Sequence, residues 1–284
     1  MLPPLISIIV PTLNQAAFIE QTLASIVGQG WPRLELIVID GGSTDGTRGI
    51  VERFGAEVTH FVSEPDRGQA DAINKGMRLA TGDILAWLNS DDYYLPQTLA
   101  RVAAALGDVT QPRLVYGGCR LFYEADGSTK DMRAERFDRE LLTTCDFIYQ
   151  ASAFWTRELW KRTSELDESQ HFALDWDWWL RASLQGELIP LDEVLSVYRF
   201  HDAHKTGSGS VRRTEETVAL VEKYATAEWA ATFRDVAAKL GSLEKTWRWC
   251  AGRRGLWTLH KLLHLGLYAR HGARIDRAFS QLHV

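Results

Sequence analysis

Cysteine is scarce in this chain. Its 284 residues include three, Cys119, Cys145 and Cys250, scattered and never in a C-x-x-C pair. That argues against a disulfide framework or a cysteine zinc site and fits a reducing cytoplasm. No run approaches the roughly 18 to 20 consecutive apolar residues that span a bilayer. The opening MLPPLISIIVPTLN has neither a basic stretch nor a small-residue cleavage site, so it reads as a first strand rather than a signal peptide. Three glycine motifs are also missing. Without G-x-G-x-x-G after the first strand a Rossmann dinucleotide site is excluded, and without G-x-x-x-x-G-K-S/T a phosphate-cradling loop is excluded. Without G-x-S-x-G a hydrolase nucleophile elbow is excluded.

What remains is an ordinary globular composition, 45% hydrophobic and 24% charged, with a formal charge of −5. The charge is uneven. From Leu243 onward Lys245, Arg248, Arg253, Arg254, Lys261, Arg270, Arg274 and Arg277 face only Glu244 and Asp276, so the body is acidic and the tail basic.

Strand and helix patterns alternate through the first third. LISIIV (5–10) and LELIVID (34–40) read as buried strands, EVTHFVSE (57–64) as a third and DILAWLN (83–89) as a fourth. Between them lie helical spacings: Phe18, Ile19, Leu23, Ile26 and Val27; then 47–54; then 71–80. This order predicts a mostly parallel sheet with helices on its faces. LVYGGCRLFY (114–123) is strand-like, 147–160 runs from strand into helix, and the chain from about Thr214 onward reads as helical.

Ligands of such sheets sit beyond the carboxyl ends of the strands, and here each of those ends is polar. The four clusters are Pro11–Thr12–Leu13–Asn14, then Asp40, then Glu64–Pro65–Asp66–Arg67, then Asn89–Ser90–Asp91–Asp92. Acids facing a diphosphate make sense when a divalent cation bridges them, since Mg²⁺ takes one or two carboxylates plus phosphate oxygens. The alternative for Asp91 and Asp92 is a solvated turn before a helix.

Three stretches carry a resemblance: SIIVPTLNQAAFIEQTLASI with QGWPRLELIVIDGGSTDGT, then SEPDRGQADAINKGMRLATGDILAWLNSDDYYLP, then LDWDWWLRA followed by YRFH. Over about residues 5 to 210 the sequence resembles the inverting family 2 glycosyltransferases of the GT-A fold. The resemblance implies an α/β domain over 1–212, with a nucleotide-binding half (1–110) and an acceptor and catalytic half (111–212), and a helical extension over 213–284. It implies transfer of a sugar from a nucleoside-diphosphate sugar, UDP first and dTDP or GDP next, to a hydroxyl of a glycan or lipid-linked acceptor in cell-surface polysaccharide synthesis. A divalent metal, Mn²⁺ or Mg²⁺, is implied as cofactor. With no membrane-spanning run to form a channel, a processive synthase is disfavoured. The alternative is a catalytically silent nucleotide-sugar or glycan-binding protein of the same fold.

Residue by residue, the resemblance implies that Pro11, Thr12, Asn14 and Asp40 hold the nucleotide, with Asp40 reading the base edge. Asp66, Arg67 and Lys75 would line the base and phosphates, Asn89 and Ser90 the ribose or sugar, and Asp92 would be either a second metal ligand or a sugar contact. Asp91 and His201 would hold the metal, with His204 and Lys205 as further candidates. Asn89 stands where the family's metal motif has an aspartate, which removes one negative charge. Asp40 is alternatively a turn or helix cap, and Arg67 and Lys75 alternatively surface ion pairs.

LDWDWWLRA offers two acids for the catalytic base, Asp175 and Asp177. Two residues apart on a helix, they do not share a face. Asp175 matches the family's base, and Asp177 is the better candidate for capping or orienting. Trp176, Trp178 and Trp179 are either core or a platform for a sugar ring. His260 and His264 share a helix face, but HKLLH lacks the glutamate of a zinc protease and reads as an amphipathic helix. The basic tail, with Trp247, Trp249, Trp257 and several leucines, suits an anionic membrane surface. It is alternatively a helical hairpin packed on the catalytic domain. The expected location is the cytoplasm, with peripheral contact at the inner face of the plasma membrane; no nucleic-acid partner is implied.

Overall fold

Two short runs, ISIIVPT and LELIVID, form the centre of the sheet. Strand β1 (Ile6–Thr12) pairs in parallel with β2 (Leu34–Asp40), in register from Ile6–Leu34 to Thr12–Asp40. Parallel strands covered on both faces bury both sets of side chains, so they read as unbroken apolar runs. Helix α1 (Ile19–Val27) follows β1. Helix α2 (Thr47–Arg53) leads into β3 (His60–Ser63), and α3 (Gln69–Leu79) into β4 (Ile84–Trp87). The order β3-β2-β1-β4 is parallel throughout. Helix α3 lies close against β1 because Gly76 faces it: a Cβ there would stand 2.5 Å from Ile9 Cγ2. The third strand is shorter than its sequence pattern, since Gly55–Glu57 is wound into a 3₁₀ turn.

These coordinates come from a computed structural model, which describes residues 2–201, 211–250 and 257–282. His204, Lys205, Arg253 and Arg254 lie outside the described residues.

The second half of the sheet mixes directions. Strand β5 (Tyr93–Tyr94) precedes helix α4 (Thr98–Leu106), and the long strand β6 (Arg113–Tyr123) follows with its hairpin partner β7 (Ser128–Met132). After the short helix α5 (Arg139–Leu142) come β8 (Ala153–Thr156), α6 (Arg157–Thr163), α7 (Leu174–Ala182) and β9 (Glu187–Phe200). Strand β8 joins β4 antiparallel, and β6 and β9 run parallel. The 14-residue β9 was unassigned from sequence. Pro190 interrupts its pattern, and a register shift at Gly117–Gly118 breaks the alternation. Gly117 is required there, because a Cβ would stand 2.5 Å from Leu195.

The chain divides into two compact units, Met1–Phe137 with Phe147–His204, and Asp138–Asp146 with Lys205–Val284. The second unit comprises α5, α8 (Val211–Tyr224), α9 (Ala227–Ala237), α10 (Leu240–Cys250), α11 (Trp257–Leu263), α12 (Leu265–His271) and α13 (Arg274–Leu282). Its core gathers Leu220, Val221, Phe233, Val236, Leu243, Ile275 and Phe279. The segment 138–146 is tied to α13: Gln281 accepts from the Asp146 N–H at 3.2 Å, and Arg277 donates to Thr144 at 3.2 Å.

Candidate active site

The register of the parallel strands sets the rim. Thr12 lies opposite Asp40 and Asp40 opposite Ser63. The N–H groups of Gly41, Glu64 and Leu88 close onto the carbonyls of Thr12, Asp40 and Ile9. Four polar strand ends therefore stand side by side, as their sequence positions imply.

Asp40 is fully buried, and its carboxylate is already engaged. It accepts from the Ser43 N–H and hydroxyl, the latter at 2.5 Å, and from the Ser63 hydroxyl at 2.7 Å. These bonds fold the 41–43 turn. Pro11 and Thr12 are buried within the sheet, and Thr12 Oγ1 has no hydrogen-bond partner. Asn14 is exposed in the left-handed region (φ 53°), where an asparagine is tolerated. Its Oδ1 accepts from the Thr44 N–H at 2.9 Å, joining the turns after β1 and β2.

Asp66 accepts from the Gly68 N–H and leans over Gly41, where a Cβ would meet its Oδ2 at 2.5 Å. Arg67 and Lys75 are paired rather than aimed at an empty rim. Arg67 donates to Asp71 at 2.9 Å and meets Glu168 at 2.7 Å, and Lys75 lies 3.1 Å from Glu64 and 3.3 Å from Asp71. Asp71 is buried, and its hydrogen bond from Arg67 brings its pKa down to about 2. This network, with Asn74 bonded to the main chain of Leu166, fastens α3 to the loop before α7.

At the end of β4 the loop is held tightly. Thr22 Oγ1 lies 2.8 and 2.7 Å from the carbonyls of Ser90 and Asp92, and Asn89 accepts from Gln69 at 2.8 Å. Ser90 is buried. The two adjacent acids then diverge. Asp92 turns inward, 1% exposed; its Oδ1 accepts from the Arg199 N–H at 3.0 Å and its Oδ2 has no partner. Burial, and next the charge of Asp91, push its carboxyl well above the usual range. Placed this way it is enclosed by the protein rather than presented at the rim. Asp91 points the other way, with its side chain 21% exposed and its Oδ2 3.2 Å from His201 Nε2.

Asp91 and His201 thus converge, while among the described residues no three His, Cys, Asp or Glu side chains do so. One carboxylate and one imidazole fit a divalent ion that fills its other positions with diphosphate oxygens and water.

Helix α7 separates its two acids. Asp177 is 1% exposed and accepts from Arg181 at 2.8 Å, while Arg181 also donates to the carbonyls of Thr163 and Glu165. Asp177 therefore anchors the helix. Asp175 is half-buried, one turn before Trp179 on the same face. Trp179 stacks on Trp87 of β4 with ring centroids 5.7 Å apart and planes at 3°, which turns that face of α7 toward β4. Trp176, Trp178 and Trp179 are all buried, two of them in a cluster with Trp87, Trp155 and Trp160. They are core, not a sugar platform.

Sequence reasoning missed Arg199, which bonds Asp91, Glu124 and Gln21 from within the protein. No sequence signal marks it, because the pattern of β9 is not legible; the structure sets it two residues before His201, which directly follows the strand.

Known proteins resemble this chain in sequence and in fold. The family signature described as Glycosyl transferase family 2 matches residues 7–163. A PGL/p-HBAD biosynthesis glycosyltransferase of Mycobacterium bovis is 36% identical over 193 residues, covering 66% of this chain and 73% of the relative. An uncharacterized glycosyltransferase of Rickettsia typhi is 28% identical, covering 76% and 70%. Among solved structures, S. aureus TarS 1-349 in complex with UDP-GlcNAc superposes with a TM-score of 0.63 at 17% identity, over 98% of this chain and 90% of that one. The mannosyltransferase PcManGT from Pyrobaculum calidifontis, in complex with GDP-Man and Mn²⁺, gives 0.62 at 22%, over 99% and 86%. These two likenesses establish a shared GT-A fold.

The differing burial of the α7 acids predicts different consequences. Asp177→Asn should lower unfolding stability by about 2–4 kcal/mol, because it leaves Arg181 without its carboxylate. Asp175→Asn should cost less than Asp177→Asn, because the asparagine oxygen can still accept from the Trp176 N–H. Urea unfolding of the two variants checks this, and equal losses would contradict the division of roles.

Proposed function

Because the chain belongs to glycosyl transferase family 2, we propose that it transfers a sugar from a nucleoside-diphosphate sugar, UDP first, to a hydroxyl of a glycan or lipid-linked acceptor. Transfer inverts the anomeric centre. The observation that carries this reading is the Asp91–His201 pair on a rim of otherwise engaged acids. Asp40, Asp92 and Asp177 are bonded within the fold; we assign Asp91 to the diphosphate side through its pairing with His201, and Asp175 to the acceptor because it matches the family's base in LDWDWWLRA. The solved neighbours in complex with UDP-GlcNAc, and with GDP-Man and Mn²⁺, support a metal-dependent donor of this class.

In the proposed mechanism Asp175 accepts the proton of the acceptor hydroxyl. The freed oxygen forms its bond to the anomeric carbon on the face opposite the diphosphate. The bond from that carbon to the diphosphate oxygen breaks with its electron pair, and the nucleoside diphosphate departs. A divalent ion held by Asp91 and His201 would supply electrostatic stabilisation to the charge developing on the leaving group. Asn14, the 43–44 turn, Asp66 and Asn89 line the donor side. The neutral Asn89 lowers the negative charge that an incoming diphosphate meets.

The second, helical unit suits a lipid-linked acceptor. His260 and His264 both bond Thr246 Oγ1 at 2.9 Å, so these helices turn their histidines inward. Leu262, Leu263 and Leu265 are left 56–61% exposed, and Trp249 is 51% exposed. Residues 243–284 carry a formal charge of +6. Among the described residues no helix is long and apolar enough to cross a membrane. Cations beside outward-facing leucines and an indole fit the surface of an anionic bilayer, which would bring the protein to the inner face of the plasma membrane.

Three outcomes are expected. In a thermal-shift panel of UDP, GDP, dTDP and CDP with and without Mn²⁺, one nucleotide should stabilise the protein in a metal-dependent way. At 100 times its Kd the gain is about 2.7 kcal/mol, and Asp91→Ala should abolish it. Stabilisation by none of the four would return Asp91 to a solvated turn. Asp175→Asn should keep donor binding and lose about 10²- to 10⁴-fold in kcat; full turnover would remove it as the base. Full-length protein should co-sediment with phosphatidylglycerol vesicles but not with phosphatidylcholine, and changing Leu262, Leu263 and Leu265 to Glu should weaken this at least about tenfold. No difference between lipids would end the membrane reading.

A further inference from the structure

We propose that Arg199 is a positioning residue whose buried guanidinium holds the main chain of Asp91 so that its carboxylate meets His201. The proposal rests on the reading of Asp91 and His201 as the metal-binding pair. Arg199 lies near the end of β9 and is 7% exposed. Its Nε donates to the Asp91 carbonyl at 2.9 Å, Nη1 to Glu124 at 2.8 Å, and Nη2 to Gln21 at 2.5 Å. Its own N–H donates to Asp92. The guanidinium carbon lies 5.1, 5.3 and 5.9 Å from the ring centroids of Phe18, Tyr93 and Phe122. Phe18 also packs on the His201 ring, with centroids 4.3 Å apart.

A charged side chain this deep in the protein needs both pairing and hydrogen bonds. Arg199 obtains them from three directions: α1 through Gln21, the turn after β6 through Glu124, and the loop after β4 through Asp91. Along an extended strand residues i and i+2 share a face, so Arg199 and His201 address Asp91 together. The arginine holds the backbone carbonyl of Asp91, and the histidine meets the carboxylate. A planar guanidinium can reach three acceptors in fixed directions, whereas a lysine ammonium is a point charge on a flexible stem. The loop has other anchors besides this residue. Tyr93 and Tyr94 still pair with Val197 and Ser196, and Thr22 still meets the carbonyls of Ser90 and Asp92. What Arg199 adds is the fixed placement of Asp91.

The test uses the full-length protein and follows Mn²⁺ binding by the electron paramagnetic resonance of free Mn²⁺, in the presence of UDP, GDP or dTDP. Arg199→Gln should weaken Mn²⁺ binding by about 10- to 100-fold, the range found when a group that orients a metal ligand is removed. Arg199→Lys should recover only part of the loss. If Arg199→Gln does not fold, Glu124→Gln keeps the arginine but loosens one anchor, and should weaken Mn²⁺ in the same direction by less. A folded Arg199→Gln, or failing that Glu124→Gln, that binds Mn²⁺ as the wild type does would overturn the positioning role alone. Wild-type protein that binds no Mn²⁺ with any of the three nucleotides would overturn the metal reading and this inference with it.

Discussion

Two neighbouring carboxylates at the end of a buried strand cannot both remain ionised in an apolar environment, and the site is organised around that constraint. Like charges raise each other's cost of ionisation, and burial adds to it. The loop after β4 sends Asp92 into the interior, where burial and its neighbour favour the neutral form, and turns Asp91 outward. One negative charge is then presented at the rim in place of two. Asn89 and Ser90, the other members of the cluster, add no charge, so the proposed diphosphate would meet little repulsion from this loop.

Other acids around the site are likewise bonded within the fold. Asp40 is consumed by the 41–43 turn, Asp71 by Arg67 and Lys75, and Asp177 by Arg181. Each of these carboxylates is buried, and each has partners that offset its desolvation, as buried charge requires. Their effect on chemistry is indirect. Asp40 shapes the turn that meets Asn14, the Asp71 cluster fastens α3 to the loop before α7, and Asp177 sets the orientation of α7. The tryptophan cluster completes this arrangement, since Trp179 on Trp87 fixes the rotation of α7 relative to β4.

The second unit obeys a different logic. Its histidines lie inward on a threonine and some of its leucines lie outward. A soluble helix normally does the reverse, because apolar area gains by leaving water. The departure acquires a reason if the outward side meets lipid, and the basic composition of the tail is consistent with that.

Much of the first half was legible in the residues. Parallel strands buried on both faces produce unbroken apolar runs, and LISIIV and LELIVID fold as those runs suggest. The carboxyl-end rule for parallel sheets places four polar clusters on one rim from sequence alone. The family resemblance and the order of its motifs likewise followed from sequence. Residue type and spacing did not say which acids would face a ligand. Asp91 and Asp92 are adjacent and chemically identical, yet they part because β9 supplies Arg199 from more than a hundred residues away. Sequence leaves Asp40 open between nucleotide and turn, and Asp177 between base and anchor; in the structure they bond Ser63 and Arg181. Strand β9 was hidden by Pro190 and by a bulge that breaks its alternation. Local sequence determined which segments became strands and helices, since those depend on near-neighbour spacing and turn chemistry. Only the tertiary structure decided which polar groups were satisfied from within and which were left for a substrate, because that depends on partners distant in the chain.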